Sequence, residues 1–580
     1  MAAPMYLRGA QGIWTVDGAT FNPEPVSYID KVNSCKCMVF SDDGSLFAWC
    51  NAESAYIMET KTMKVIQDLG TPKVVALKFS PLGTVLATWN NYMVNREGGG
   101  GMPNLVFHDV KAGKVVKSLI QKKQQSWEPE WSSDEVICVR NVNNELHFFE
   151  NNEFDTIATK LHLQKVSAFS LAKNSSPYII AAYVPGSKGQ PSFVRIYRYP
   201  NFGGPESTLV NKSFFKSDRV NFYWNNPGNS LLVLTSTESS DSSYYGDQGL
   251  HFLSTTSDSC LVPLQKQGPV YHVEWAPNNT EFVVIYGYMP AKTTIYSLKC
   301  EPVFDFGTGP RNICSFNPQG NILCIGGFGN LPGNLEFWDM KQKKQITKTQ
   351  SSDTTYFEWC PDGQHLLTAT TAPRLRVGNG FRIWHYSGTL MLQHFTKDHA
   401  ELWQATWQPR PADQILPFNI TTKPVATTVQ EQPKTQGVAY RPPQMRDSGA
   451  KPAALKPLHE LESASNAQNT QPDKAPSKNK KKREAQKAKA AREAALKPEE
   501  STSSTAASAA SSSTSSVDAA AVSTGDPEKD KKLRNLRKKV QQIEKLKEQQ
   551  AAGKEMEKNQ VEKIKTMDSL LQEIEDLELG

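Results

Sequence analysis

Along roughly the first two thirds of the chain, apolar residues come in short runs broken by Pro, Asp, Asn and Gly, and one unit of this pattern recurs. An aromatic closes an apolar run, a polar turn follows, and a second apolar run begins. The unit is clearest at Trp359-Cys360-Pro361-Asp362-Gly363 and Phe79-Ser80-Pro81-Leu82-Gly83. It returns after Phe40, Trp131, Phe169, Trp224, Trp275, Phe316 and Trp407, nine aromatics in all. Each unit has a further alternating run rich in aromatics: Tyr56–Met58, Leu105–His108, Leu146–Phe149, Val194–Tyr197, Leu250–Leu253, Thr294–Tyr296, Leu335–Asp339 and Arg382–His385. Strand-turn-strand units repeating at about 40–45 residues predict the blades of a β-propeller. Nine units predict nine blades in one all-β domain over 1–418. Trp338-Asp339 is the one clean Trp-Asp pair, so the repeats are degenerate relatives of the Trp-Asp type.

A closed ring must remove its free edges. Residues 1–38 offer one strand-like piece, Gly12–Val16, and the ninth unit has only Gln414–Phe418 after Trp407. Ile13–Val16 is therefore expected to complete the blade that holds Trp407. Gly- and Ser-rich stretches at Asn95–Pro103, Pro185–Pro191 and Ser236–Gly249 lengthen particular units and read as insertion loops.

The pattern stops near Pro409. Residues 419–525 are rich in Thr, Pro, Gln, Ala and Ser, and are expected to form a disordered linker. Tyr440-Arg441-Pro442-Pro443 within it is a candidate docking motif or plain linker. From 526 to 580 helical periodicity appears. Asp526 caps the first helix and Pro527 opens it. Leu533, Leu536, Val540, Ile543 and Leu546 form an apolar row, and a second row runs through Val561, Ile564, Met567, Leu571, Ile574 and Leu577. That second row is a candidate partner-binding helix.

Charge sharpens this division. The net +6 splits into about +5 after residue 410 and about +1 before it. The excess lies in two blocks, one within 474–492 (Lys480, Lys481, Lys482, Arg483, Lys487, Lys489) and one at Lys531, Lys532, Arg534, Arg537, Lys538 and Lys539. Such blocks suit phosphate backbones, and they contain no aromatics on which bases could stack. A nuclear localisation signal or a merely solvated charge run are the alternatives.

Catalytic patterns are missing. The chain has no G-x-x-x-x-G-K-[ST], H-E-x-x-H or G-x-S-x-G, so no enzyme, cofactor or metal site is expected. His385, His394 and His399 are the nearest approach to a histidine cluster. The nine cysteines sit mostly in apolar strands without zinc spacing and read as buried, reduced thiols. The lack of an apolar leader or membrane-length run predicts a cytoplasmic protein that does not enter a membrane.

Particular stretches resemble the eukaryotic translation initiation factor 2A family. They include Asn141–Asn152 (NVNNELHFFENN), Leu161–Lys165 (LHLQK), Val184–Gly189 (VPGSKG), Ser192–Tyr197 (SFVRIY), Val303–Asn312 (VFDFGTGPRN), Thr355–Gly363, Ala372–Val377 (APRLRV), Ala439–Pro443 (AYRPP), Gly525–Glu528 (GDPE) and Glu575–Gly580 (EDLELG). The resemblance implies a monomeric nine-bladed propeller with a flexible C-terminal extension. It implies delivery of methionyl initiator tRNA to the small (40S) ribosomal subunit, without GTP and in a codon-dependent way, for a subset of mRNAs. It further implies extension contacts to mRNA and to the factor that joins the subunits. On this chain the RNA contacts would map to Lys480–Arg483 and Lys531–Lys539, and the protein contact to Val561–Leu577. The rival reading is a Trp-Asp-repeat scaffold that binds proteins and not RNA.

Overall fold

A computed structural model describes residues 2–421, apart from short stretches of connecting loop (33–34, 95–99, parts of 123–126, 188–189, 205–206, 216, 238–245, 257 and 398–399), together with Val540 and Ile543. The chain divides into two units, Met1–Val438 and Ala439–Gly580. The first contains nine four-stranded antiparallel sheets. No helix among the described residues is long and apolar enough to cross a membrane.

In each sheet the strands are lettered a to d from the axis outward. The a strands of successive sheets lie against one another, which places them at the axis. The middle strands b and c are apolar and buried, as in Ile179–Val184, where every residue is buried. The d strands are largely exposed, as in Lys64–Asp68. Hydrophobic clusters form between sheets rather than within one. One joins Ile137, Val139 and Phe148 of blade 3 to Ile180, Ala182 and Tyr197 of blade 4. Another joins Phe337 of blade 7 to Trp359, Leu366 and Trp384 of blade 8. A twisted sheet with two apolar faces needs a partner on each side, and a closed ring supplies both.

Eight of the nine aromatics end an a strand, and all eight downstream runs are c strands. The fourth repeat differs. Leu171 pairs with Ile180, as Trp224 pairs with Leu231, so Leu171 holds the repeat position and Phe169 lies two residues earlier. Period-two alternation explains the slip, because both residues face the same side.

The ring closes on a composite blade. Leu402–Trp407 is strand a, Met5–Gly9 is b, Gly12–Val16 is c and Pro25–Asp30 is d. Ile13–Val16 does join the blade of Trp407, but Met5–Gly9 is the strand that pairs with it, in register Met5↔Trp407. Three N-terminal strands therefore replace the one expected. Gly12 turns the chain between b and c at φ 102°, where a Cβ would meet the Asp30 carbonyl oxygen. Gln414–Phe418 is not a strand: Ala412–Gln414 is a single 3₁₀ turn, and the b position is already filled. The segment instead runs over blades 7 and 8. Gln319 donates to the Leu416 carbonyl (3.1 Å), Phe418 stacks on Tyr386 (5.6 Å between centroids), and the Thr421 amide donates to the Tyr386 hydroxyl (2.9 Å).

Two cysteines also depart from expectation. Cys260 and Cys300 are joined across the seam between blades 5 and 6, and the other seven thiols are free. They come from successive blades 40 residues apart, a juxtaposition that sequence spacing does not reveal.

Candidate functional site

The a strands carry the chemistry of the inner ring. The residue before the repeat aromatic is Glu in three blades: Glu130, Glu274 and Glu358. Each carboxylate reaches the next blade and accepts the backbone N–H at that blade's repeat position. Leu171 donates to Glu130 (2.6 Å), Phe316 to Glu274 (3.1 Å) and Trp407 to Glu358 (3.1 Å). Ser315 and Thr406 add hydroxyl donors to Glu274 and Glu358. Burial outweighs these donors and raises all three carboxyls above the usual range, Glu274 to about 7.

Three other seams are bridged from the opposite side. The indole N–H of Trp224 donates to the Ser170 carbonyl (3.3 Å), Trp275 to Tyr223 (2.8 Å) and Trp359 to Ser315 (3.1 Å). Each accepting carbonyl belongs to the residue before the repeat position of the preceding blade. Three of the five repeat tryptophans thus pack against a core cluster and bond across a seam, whereas Trp131 donates to Asn152 of its own blade.

The end of the ring made by b–c and d–a connections is the candidate contact surface. All three predicted insertions are b–c connections, of blades 2, 4 and 5, so they emerge at this one end. Among the described residues its connections carry Lys31, Lys36, Lys73, Lys122, Lys165, Lys266, Arg374, Arg376 and Lys397 against Glu53, Glu128, Asp218, Asp247, Asp353 and Glu401. Exposed aromatic and apolar side chains stand among them: Phe215 (88 % exposed), Val377, Tyr288, Met289, Met93 and Met102. Lys122 lies over the Tyr92 ring at 5.4 Å. The opposite end carries Asp42, Asp43, Asp134, Glu135, Glu153, Asp155, Asp258, Glu301 and Asp362 against Lys61, Lys111, Lys114, Lys173, Lys299, Lys341 and Lys343 among the described residues of its a–b and c–d connections in blades 1–8, a small acidic excess. The segment 414–421 lies on that acidic end, against the turns of blades 7 and 8.

The basic blocks at Lys480–Lys489 and Lys531–Lys539, and the apolar row Val561–Leu577, lie outside the described residues. Val540 and Ile543, from the first apolar row, are helical and buried. Of the three histidines singled out, His385 sits beside His365 (5.4 Å) and bonds Ser387, His394 packs on Phe381, and His399 lies outside the described residues. The basic loop end escaped the sequence reading because its charges come from many separate connections. The shared b–c position of the insertions was the available signal.

A family model described as "Eukaryotic translation initiation factor eIF2A" matches residues 212–405, and one described as "Eukaryotic translation initiation factor 2A C-terminal domain" matches 531–577. The eukaryotic translation initiation factor 2A of Drosophila melanogaster is 40% identical over 448 residues, covering 75% of this chain and 70% of that protein. The chain belongs to the eukaryotic translation initiation factor 2A family. The Caenorhabditis elegans member is 37% identical over 70% of this chain and 72% of its own. A solved structure titled "Crystal structure of the eukaryotic initiation factor" superimposes with a TM-score of 0.65 at 34% identity, covering 71% of this chain and all of that one. The family match in the tail, 531–577, includes the second basic block and the second apolar row.

Proposed function

We propose that the protein is a translation initiation factor that brings methionyl initiator tRNA to the small ribosomal subunit without GTP, for a subset of mRNAs. In this reading the propeller is the rigid scaffold and the tail the RNA- and ribosome-binding arm. Lys480–Arg483, Lys487, Lys489 and the Lys531–Lys539 block hold phosphate backbones. The Val561–Leu577 row docks a protein partner of the subunit-joining step. The protein acts by binding rather than by catalysis, in the cytoplasm. The observation that carries the reading is the family match at both ends of the chain, propeller and C-terminal domain, with the charge excess concentrated in the tail.

The test is binding of small ribosomal subunits to the full chain across a salt titration. It is repeated with Lys531, Lys532, Arg534, Arg537, Lys538 and Lys539 all changed to Ala. Each phosphate contact contributes about 0.7–0.9 to the slope of log affinity against log salt. The variant should bind more weakly and with a shallower slope, while its propeller melts at the wild-type temperature. Unchanged affinity and slope would refute the arm. Binding that is tight and insensitive to salt would favour the protein scaffold instead. Initiator tRNA retention that requires GTP would refute GTP independence.

A further inference from the structure

The three seam glutamates have unlike surroundings. Two residues before Glu358 stands Tyr356, and opposite it, two residues before the next blade's repeat position, stands Ala405. For Glu130 the corresponding residues are Glu128, which pairs with Lys78, and Phe169. For Glu274 they are His272 and Cys314. This seam alone of the three gathers nitrogen, oxygen and sulfur donors.

The geometry is that of a ligand set. One donor atom from each of His272, Glu274 and Cys314 lies within 4.8 Å of the others. His272 Nδ1 is 3.4 Å from Cys314 Sγ. Two ligands at about 2.0–2.3 Å from a tetrahedral zinc ion stand roughly 3.5 Å apart, so this pair needs little movement. One Glu274 oxygen accepts the Phe316 amide, and the other, Oε2, is buried without a hydrogen-bond partner among the described residues. Cys314 is inaccessible, whereas His272 is half-buried. Antiparallel blades fix all three backbones: His272 opposes Ile285, Glu274 opposes Val283 and Cys314 opposes Ile325.

We propose that His272, Glu274 and Cys314 bind one divalent transition-metal ion of the zinc class at the seam between blades 6 and 7. A thiolate, a carboxylate and a neutral imidazole carry two negative charges together, which a divalent ion cancels in a buried site. The mixed nitrogen, sulfur and oxygen set suits zinc over calcium or magnesium, which take oxygen. On binding, the Cys314 thiol loses its proton to solvent and the sulfur–metal bond forms. Three protein ligands leave a fourth position for water or a partner's side chain. The ion would tie the sixth blade to the seventh at the axis.

The full chain, stripped with a chelator, is dialysed against zinc, cleared of excess metal, and its metal content measured. Cobalt(II) is titrated in parallel, since a cobalt–thiolate bond gives a charge-transfer band. One ion per chain is expected, with a cobalt band in the wild type, absent from Cys314→Ser and weakened at least tenfold in affinity in His272→Gln. Zinc should raise the melting temperature of the wild type and leave Cys314→Ser unmoved. Retention of no ion by the wild type would overturn the site without recourse to any variant. A band that survives Cys314→Ser and vanishes in Cys37→Ser would also overturn it, by assigning the metal to the close Cys37–Cys50 pair (3.1 Å).

Discussion

Six of the nine seams in this ring carry one of two bonds, which bridge the same gap from opposite sides. At the junctions of blades 3 with 4, 6 with 7 and 8 with 9, a glutamate of the earlier blade accepts an amide of the later one. At 4 with 5, 5 with 6 and 7 with 8, a tryptophan of the later blade donates to a carbonyl of the earlier one. The tryptophan brings a neutral donor on a large apolar ring, so seam bond and core packing come from one side chain. The glutamate brings an acceptor whose burial is costly when ionised. The tryptophan seams should therefore be strong and indifferent to pH. The glutamate seams should be weaker, titratable, and open to further chemistry, as beside His272 and Cys314.

The largest effect should come from a tryptophan seam. Trp359 is 8 % exposed, its ring lies edge-on to Phe337 at 5.8 Å, and its indole holds the Ser315 carbonyl. Trp359→Ala should cost about 3–5 kcal/mol, read by denaturant unfolding of the full chain. A loss under about 1 kcal/mol would show that the neighbouring blades close the gap, and the contrast between seams would then fail.

Next comes a glutamate seam. Glu358→Ala leaves the Trp407 amide and the Thr406 hydroxyl without their acceptor, and should cost about 1–3 kcal/mol. Glu358→Gln keeps an acceptor and separates charge from bonding. Burial holds the Glu358 carboxyl above the usual 4.5 in the folded state. As pH rises past 4.5 the unfolded chain ionises first, so this group lowers stability as pH climbs, until the folded carboxyl ionises too. Relative to the wild type, Glu358→Gln should therefore gain stability as pH rises above 4.5, until the folded carboxyl ionises. A pH-independent difference would mean the carboxylate is no worse off folded than unfolded.

The propeller was legible in the sequence because its signal is local. Each strand-turn-strand unit announces itself by an aromatic, a Pro/Asp/Asn/Gly turn and an alternating run, and the c strands follow from the same alternation. What failed was register and pairing across distance. Phe169 stands in the expected pattern where Leu171 holds the repeat position, because a two-residue slip preserves the facing side. Met5–Gly9 is not marked as a strand by its sequence, since MYLRG carries an arginine, ends in glycine and pairs with a strand some four hundred residues away. The seam glutamates were invisible for the same reason. Glu-Trp at 130–131, 274–275 and 358–359 is a visible dipeptide, but its role appears only when the next blade's amide is beside it. The Cys260–Cys300 pair and the His272, Glu274 and Cys314 group likewise come from adjoining blades. The basic blocks of the tail needed no such pairing, since charge density along the chain is itself the observable.

The smallest change tests the comparison most narrowly. Trp275 has the shortest of the three indole bonds, to the Tyr223 carbonyl at 2.8 Å, and its ring packs on Phe282 at 5.4 Å. Trp275→Phe keeps an aromatic ring against Phe282 and removes the N–H. The net value of one such bond is about 0.5–1.5 kcal/mol, with part of any loss due to the smaller ring. The stability difference should be the same at pH 5 and pH 8, because neither partner titrates. If it instead tracks pH as the Glu358 variants should, the two seams are coupled through blades 6 and 7, whose junction Glu274 bridges. In that case the ring responds to protonation as one body rather than seam by seam.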